Sequence, residues 1–339
     1  MKENFSSIDR LYGKDVAAEE RKEILSMYKK NFEDQVNHEA FQELLMQERE
    51  KTKEEIELIV FCNEKINALR GKYGLEPFTI PESNFHIVPM EKWKEGMDYE
   101  KSNTAAFFSN SLQGVAAMEI DNPLAFAKGA YHELIHFHGY QALMVAEREG
   151  RKLKDYDYRF GMGMFKERGE EGQFYFENMN EALTEELAKR FIENEYASEN
   201  PHPLLQKGIQ TIRNLQEEAK EKVSGSDLEK SITNPELYYA LLHGRIGIDE
   251  DLTLGNQYFF SYKKQRSILN TLIDTLYEHN KENCEGREAI FDMFVKAHFT
   301  GNIYELGKMI DRSFGKGTFR KIGELDENIE EQEQFIKSL

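Results

Sequence analysis

Residues 122–149 read NPLAFAKGAYHELIHFHGYQALMVAERE, and this stretch holds the most informative motif of the chain. His132 and His136 stand four positions apart within it, and Glu133 directly follows the first histidine. Residues four apart on an α-helix point within about 40° of each other and stack one turn apart. Two imidazoles placed in this way can bind one tetrahedral metal ion. The stretch therefore predicts a helix that presents a metal-binding pair.

The helix of this HExxH motif is expected to begin near Asp121, with Pro123 in its first turn. It is expected to extend to Tyr140, which would share the face of His136 one turn later. Glu133 lies about 100° round the helix from the first histidine, off the ligand face but within reach of a metal-bound water. This is the geometry that a general base needs.

A catalytic zinc site usually has three protein ligands and one open position, so a third ligand is required. Residues 180–185, NEALTE, open a second helix that continues through LAKRFIENEY. Glu185 lies one turn after Glu181, where it can accept the N–H of a ligating imidazole and hold its tautomer. The preferred third ligand is Glu181, and its rivals are Glu147, Glu171 and Glu177.

An HExxH followed by a helix with the pattern NExx(S/T)(D/E) resembles the gluzincin class of zinc metallopeptidases. By this resemblance His132, His136 and Glu181 are the ligands of a Zn²⁺ cofactor, Glu133 is the catalytic base, and Glu185 is the acid that supports the first histidine. The implied function is hydrolysis of peptide bonds in a peptide or protein substrate. The resemblance covers about residues 104–190, and the interval between the second histidine and the third ligand is longer than in the familiar member of the class.

The resemblance also implies a residue that stabilises the oxyanion, because gluzincins commonly take a Tyr, His or Arg from the region after the third ligand. We take Tyr262 and His243 as the catalytic candidates, and Tyr258 and Arg266 remain open. In the same class a strand before the active-site helix provides an edge for extended peptides. Residues 104–108 are loosely similar to that edge.

The chain divides by composition into three zones: an N-terminal helical region at 1–75, a middle zone at 76–200 in which strand signals recur, and a C-terminal helical region at 201–339. The resemblance implies that the middle zone is a zincin-like catalytic core, on which the C-terminal region is expected to pack. This order predicts an α+β fold, mostly α, with a small mixed or antiparallel sheet. The predicted helices are 15–31 and 39–73. The predicted strands are 84–88, 105–108 and 115–120, with a hairpin at 158–176. Joints between C-terminal helices are expected at 224–226, 244–255, 284–286, Gly301 and Gly315.

The composition excludes several other classes of function. A net charge of −18 without a basic patch argues against a nucleic-acid partner. Cys62 and Cys284 have no metal-ligand spacing. The first residues contain no apolar leader, and no apolar stretch approaches the roughly 18 residues that span a membrane, so we expect a cytoplasmic protein without membrane contact. The oligomeric state is not indicated.

Two other functions compete with a peptidase. One is a catalytically silent metal-binding or interaction protein with a zincin fold, which the presence of Glu133 disfavours. The other is an iron–carboxylate centre in a helical bundle, which requires two Glu-x-x-His helices and is disfavoured by the HExxH spacing. His138, about 240° round the helix from the first histidine, is expected to be a packing or surface residue. His298 stands alone in the sequence, and no role is predicted for it.

Overall fold

The computed structural model describes residues 8–12, 18–34, 43–96, 105–120, 123–148, 151–168, 171–210 and 260–339. Helices dominate these residues and the strands form two small sheets, which confirms the predicted α+β class. The strands are β1 (Ile8–Tyr12), β2 (Phe85–Val88), β3 (Ala106–Ser109), β4 (Gly114–Met118), β5 (Gln141–Arg148), β6 (Arg151–Phe160), β7 (Gly163–Arg168) and β8 (Glu171–Tyr175). The helices are α1 (Ala18–Asp34), α2 (Lys53–Gly71), α3 (Met90–Gly96), α4 (Pro123–His138), α5 (Glu177–Ala197), α6 (Lys263–Asn280), α7 (Arg287–Thr300), α8 (Tyr304–Phe314), α9 (Thr318–Glu324) and α10 (Ile329–Lys337).

The smaller sheet has the strand order β2-β4-β3. Strand β2 runs parallel to β4, and β3 runs antiparallel to it with Phe108 opposite Val115. These are the three strands predicted between residues 84 and 120, so that prediction is confirmed. Among the described strands β3 has β4 as its single partner, and it lies against helix α4. The other backbone edge of β3 has no strand partner among the described residues, and it lies beside the helix that carries the HExxH motif.

The larger sheet has the order β1-β5-β6-β7-β8, with β1 parallel to β5 and the other pairs antiparallel. The hairpin of β7 and β8 confirms the one predicted at 158–176. Strands β1, β5 and β6 were not predicted. Residues 8–12 fall in the zone that was interpreted as helical, and they form a strand because β5 supplies a pairing partner about 130 positions away. This long-range pairing leaves little signal in a local window of sequence.

Helix α4 begins at Pro123, as predicted, and ends at His138. Gly139 closes it by donating its N–H to the carbonyl oxygens of the preceding turn, and the next N–H, of Tyr140, donates to His298 O at 2.9 Å. A Cβ atom at Gly139 would lie 2.8 Å from His298 Nε2, so only glycine leaves room for that ring. The prediction that Tyr140 continues the helix is therefore wrong. The chain leaves α4 at Gly139 because the N–H of Tyr140 donates to His298 O and not to a carbonyl of α4.

The predicted helix at 39–73 is also divided in the structure. Helix α2 begins after a capping box, in which the Thr52 side chain accepts from Glu55 N and the Glu55 carboxylate accepts from Thr52 N. Upstream, Arg49 N donates to Ile87 O at 3.0 Å and ties this segment to β2. The prediction of one continuous helix is therefore wrong, because the capping box at Thr52 begins α2 as a separate helix.

The joints between C-terminal helices that the structure describes lie at glycine residues, as predicted. Helix α7 starts directly after Gly286, and Gly301 and Gly315 end α7 and α8 with positive φ angles of 69° and 106°. Such left-handed conformations favour glycine. The joints predicted at 224–226 and 244–255 lie outside the described residues.

Helix α4 is the centre of the core and packs against α2, α5 and β3. Leu134 and Ile135, which lie between the two histidines of the motif, are fully buried. Tyr131 stacks on Phe191 of α5, with ring centroids 4.1 Å apart and planes within 6°. Each such buried large side chain contributes about 1.5–3 kcal/mol to folding. Burial of the apolar face of α4 thus determines which side chains of this helix point away from the core.

Candidate metal centre

The two histidines of the motif converge on one point. His132 and His136 lie on the same face of α4, and their Nε2 atoms are 3.1 Å apart. Two ring nitrogens at this separation cannot both point bare lone pairs at each other without a proton or a cation between them. The local geometry of the helix alone produces this pairing, as the four-residue spacing predicts.

Glu181, on α5, completes the cluster. Its Oε1 lies 3.2 Å from His136 Nε2, and its Oε2 lies 3.4 Å from His132 Nε2. Among the described side chains these three residues form a group that can hold a metal ion, with one ligand atom from each lying within 4.8 Å of the others. Of the rival carboxylates, Glu177 lies one turn earlier on α5 and outside this group, and the side chains of Glu147 and Glu171 are not among those described.

The donor set fits a small divalent cation. Imidazole nitrogens and carboxylate oxygens bind zinc at about 2.0–2.2 Å, and the corners of a tetrahedron of that size are about 3.3–3.5 Å apart. The separations between the donor atoms of the cluster are 3.1, 3.2 and 3.4 Å. Two neutral nitrogens and one carboxylate also leave a coordination position open. The cluster can therefore hold a metal ion, and its geometry does not distinguish zinc from other divalent metals.

Glu185 lies one turn beyond Glu181 and supports the first histidine. Its Oε2 lies 2.7 Å from His132 Nδ1, while its Oε1 accepts from Lys128 Nζ at 3.1 Å and from Ser261 N at 2.6 Å. Burial disfavours the charged carboxylate, but Lys128 and His132 hold the pKa of Glu185 far below its ordinary range. The carboxylate is thus ionised and orients His132 with its Nε2 toward the cluster.

Charge around His132 favours a cation at the cluster. Burial alone would disfavour the protonated imidazole, but hydrogen bonds to Glu181 and Glu185 outweigh burial and raise the pKa of His132 to about 10. A metal ion that binds here displaces this proton. The two carboxylates thus provide the negative charge that a bound cation requires.

Glu133 lies beside the cluster and outside the donor set. Its Oε2 accepts a hydrogen bond from Phe108 N, on strand β3, at 2.8 Å. Burial raises the pKa of Glu133 above its ordinary value, with the neighbouring histidines acting in the opposite direction. Strand β3 therefore holds one oxygen of this carboxylate, and Glu133 lines the cleft beside the cluster.

These groups line a cleft of about 320 Å³. Residues 106–108 of the outer strand β3 form one wall, next to the three residues of the cluster and Glu133. The remaining lining residues are Asn110, Gln141, Phe160 and Tyr262. The cleft thus brings together the edge of β3 that none of the described strands pairs with, the carboxylate of Glu133 and a group that can hold a metal ion.

The residues considered as stabilisers of the oxyanion lie in different parts of the chain. Tyr262 lines the cleft, and its ring lies parallel to that of His132 at a centroid distance of 5.9 Å and an angle of 11°. Burial, the carboxylates of Glu181 and Glu133 and a hydrogen bond to Glu181 raise the pKa of its hydroxyl, so it remains protonated and can donate. Arg266 is buried in an ion pair with Glu186 at 3.1 Å and does not line the cleft. His243 and Tyr258 lie outside the described residues.

Tyr262 has a left-handed backbone conformation with φ of 53°, which is uncommon for a residue with a side chain. The preceding residue, Ser261, is anchored through its N–H to Glu185. Strained conformations persist where the surrounding structure over-determines them. The anchor on Glu185 thus places Tyr262 where its ring reaches the cleft.

His298 is a part of the centre that the sequence did not reveal. It is fully buried on α7, its ring lies 6.5 Å from that of His136, and it contacts Asn180, the neighbour of Glu181. These contacts join residues 118 and 163 positions apart, so no motif or spacing could have indicated them. His138 is buried, as a packing residue would be, with its ring nitrogens against Leu134 O and Phe78 O.

No protein-family model matches this chain, and neither the curated proteins nor the solved structures contain a match to it. Within the described part of the chain, none of the helices combines the length and the apolar character needed to cross a lipid bilayer.

Proposed function

We propose that this protein is a zinc-dependent metallopeptidase that uses Glu133 as its general base and cleaves a peptide or protein substrate. The observation that carries the proposal is the convergence of His132, His136 and Glu181 at 3.1–3.4 Å with a further carboxylate beside them. This is the donor set and base of the gluzincin class that the sequence resembles. A purely structural metal site has four protein ligands and no need of the extra carboxylate.

The chemistry divides among the residues of the cleft. When bound, zinc lowers the pKa of a water and polarises the substrate carbonyl. Glu133 Oε2 is held by Phe108 N, so Oε1 accepts the proton of the attacking water and later delivers it to the leaving amine as the C–N bond breaks. The Tyr262 hydroxyl, protonated and turned into the cleft, donates to the carbonyl oxygen as negative charge develops there.

The open edge of β3 supports a substrate in extended conformation. Residues 106–108 line the cleft, and among the described strands β3 pairs only with β4. An extended peptide can add to such an edge through its backbone groups, with little demand on its side chains. This favours peptides or unfolded protein segments over folded domains.

The test is the substitution Glu133→Gln, which keeps the shape of the side chain and removes its capacity to accept a proton. We expect the variant to retain one zinc per chain and to lose about 10²–10⁴-fold in kcat/KM on casein or a quenched-peptide library, because general base catalysis is worth about that much. The matched control is Glu64→Gln, an exposed residue of α2, which should cleave like the wild type.

Equal cleavage by the wild type and Glu133→Gln would contradict the proposal. A wild type that binds zinc and cleaves none of the library would instead support a catalytically silent metal-binding protein. Metal analysis that finds two iron ions per chain would support the iron–carboxylate alternative.

A further inference from the structure

A buried side chain bridges the two helices that carry the metal cluster. His298, on α7, places its Nδ1 2.9 Å from Asn180 Oδ1 and its Nε2 3.2 Å from Ile135 O. Asn180 directly precedes Glu181 on α5, and Ile135 directly precedes His136 on α4. The ring therefore joins the immediate neighbours of two cluster residues that come from different helices.

The orientation of this bridge is defined by a further contact. Asn180 Oδ1 also accepts a hydrogen bond from Met162 N at 3.0 Å. Since a backbone N–H can only donate, the amide oxygen of Asn180 must face both Met162 N and the imidazole. Burial lowers the pKa of His298 to about 3, so the ring is neutral and has a single N–H. His298 therefore donates from Nδ1 to Asn180, and its Nε2 packs against Ile135 O without a hydrogen bond.

Two glycines make room for the imidazole. A Cβ atom at Gly161 would lie 2.4 Å from His298 Nδ1, and one at Gly139 would lie 2.8 Å from its Nε2. Gly161 also has a φ angle of 54°, which suits glycine. The chain is thus shaped around the ring from both sides, as expected for a group held in one position.

We propose that His298 is a positioning residue that holds α4 and α5 at the spacing at which His136 and Glu181 bind one metal ion. The proposal rests on the metal site of the proposed metallopeptidase. The donor atoms of the cluster come from two helices, so a small shift of α5 against α4 changes their separation directly. Metal affinity depends strongly on these distances, and residues that orient ligands typically contribute about 10–100-fold to affinity.

His138 offers a matched comparison, because it is an equally buried histidine with both ring nitrogens against oxygen atoms. Its partners are Leu134 O, on α4 itself, and Phe78 O, outside α5. A substitution there removes similar buried contacts without touching the connection between α4 and α5. If His298 acted only through core packing, the two histidines would give the same result.

The experiment compares His298→Asn and His298→Gln with His138→Asn and His138→Gln. The shorter amide can reach the position of Nδ1 and the longer one that of Nε2, so each His298 variant keeps one contact of the bridge and loses the other. Thermal unfolding of the metal-free proteins identifies the variants that fold, and either His298 variant is sufficient. Zinc affinity is measured by competition with a chromophoric chelator, and the geometry of the centre by visible absorption of the Co²⁺ form.

We expect the His298 variants to bind zinc about 10–100-fold more weakly and to show an altered Co²⁺ spectrum, while the His138 variants stay within about twofold of the wild type. Wild-type affinity in the His298 variants, or an equal loss in the His138 variants, would overturn the positioning role and leave the metallopeptidase proposal intact. A wild type that binds no zinc would remove both.

Discussion

At the scale of single residues, Glu185 connects the candidate metal cluster to the rest of the cleft. One of its oxygens orients His132, and the other accepts from Lys128 and from the N–H of Ser261. The residue after Ser261 is Tyr262, whose ring is parallel to that of His132. A single buried carboxylate thus determines the orientation of one possible ligand and the location of the proposed oxyanion donor.

The role of Tyr262 can be tested by Tyr262→Phe, which removes the hydroxyl and keeps the ring. We expect kcat to fall about 10²-fold with a smaller change in KM, because the hydroxyl acts on charge that develops after the substrate has bound. Steady-state kinetics on a quenched peptide measures both constants. Tyr304→Phe, at an exposed tyrosine of α8, is the control and should leave both unchanged. An unaltered kcat in Tyr262→Phe would exclude this hydroxyl from catalysis.

At the scale of elements, the turn between β6 and β7 contacts Asn180 and His298, which lie behind the candidate metal cluster. Gly161 N donates to Tyr140 O at 2.6 Å, and Met162 N donates to Asn180 Oδ1. The turn thus connects the segment that follows α4 with the first turn of α5. The segment between the second histidine and Glu181 therefore contacts the residues behind the candidate metal centre.

Substitution of Gly161 by alanine should disrupt this arrangement. The added Cβ would lie 2.3 Å from Asn180 Oδ1 and 2.4 Å from His298 Nδ1, at a φ angle of 54°. We expect a loss of about 2–4 kcal/mol in the free energy of unfolding, measured by urea denaturation of the metal-free protein.

The control for this substitution is Gly71→Ala, at the last residue of α2, where an added Cβ meets nothing within 4 Å. It should leave stability unchanged or raise it by up to about 1 kcal/mol, because alanine has the better helix propensity. A Gly161→Ala protein as stable as the wild type would show that the turn tolerates a shift away from His298.

At the scale of the whole molecule, the C-terminal helices hold the start of α5. Phe176, which precedes α5 with a φ angle of 61°, stacks on Phe319 of α9 at a centroid distance of 4.6 Å. Asp326 accepts from Asn178 N with both carboxylate oxygens, at 3.2 and 3.1 Å. Glu181 lies one turn further along α5. The last part of the chain therefore helps to place a residue of the candidate metal centre.

This contact predicts a pH dependence of stability. Burial outweighs the hydrogen bonds to Asp326 and raises its pKa from 3.8 to about 6 in the folded protein. The folded state therefore binds a proton more tightly than the unfolded state, and the stability that this proton contributes is present below about pH 4 and lost as the pH rises through about 6. Asp326→Asn cannot ionise.

We therefore expect the free energy of unfolding of the wild type, relative to Asp326→Asn, to fall by about 1–3 kcal/mol between pH 4 and pH 7. Chemical denaturation of both proteins at several pH values measures this difference. A difference that does not change with pH would show that Asp326 has the same proton affinity in the folded and unfolded chain.

The features that could be predicted from sequence are those defined within one or two helical turns. The spacing of His132 and His136 places them on one face, and the four positions between Glu181 and Glu185 do the same on α5. The strands of the smaller sheet and the hairpin of β7 and β8 were likewise predicted from local alternation and turns. These features depend on backbone geometry that neighbouring residues determine among themselves.

Other features were decided only by tertiary structure. Residues 141–148 contain good helix formers, yet they form β5 because β1 and β6 pair with them. The hydrogen bond from Tyr140 N to His298 O also directs the chain away from α4 just before this strand. The placement of Tyr262 in the cleft, of Arg266 in an ion pair, and of His298 behind the cluster depends on partners roughly 75 to 165 positions away in sequence. Such contacts form only when distant segments of the chain pack together. A local sequence pattern therefore determines the pairing of the two histidines, and the packing of the chain determines which residues surround them.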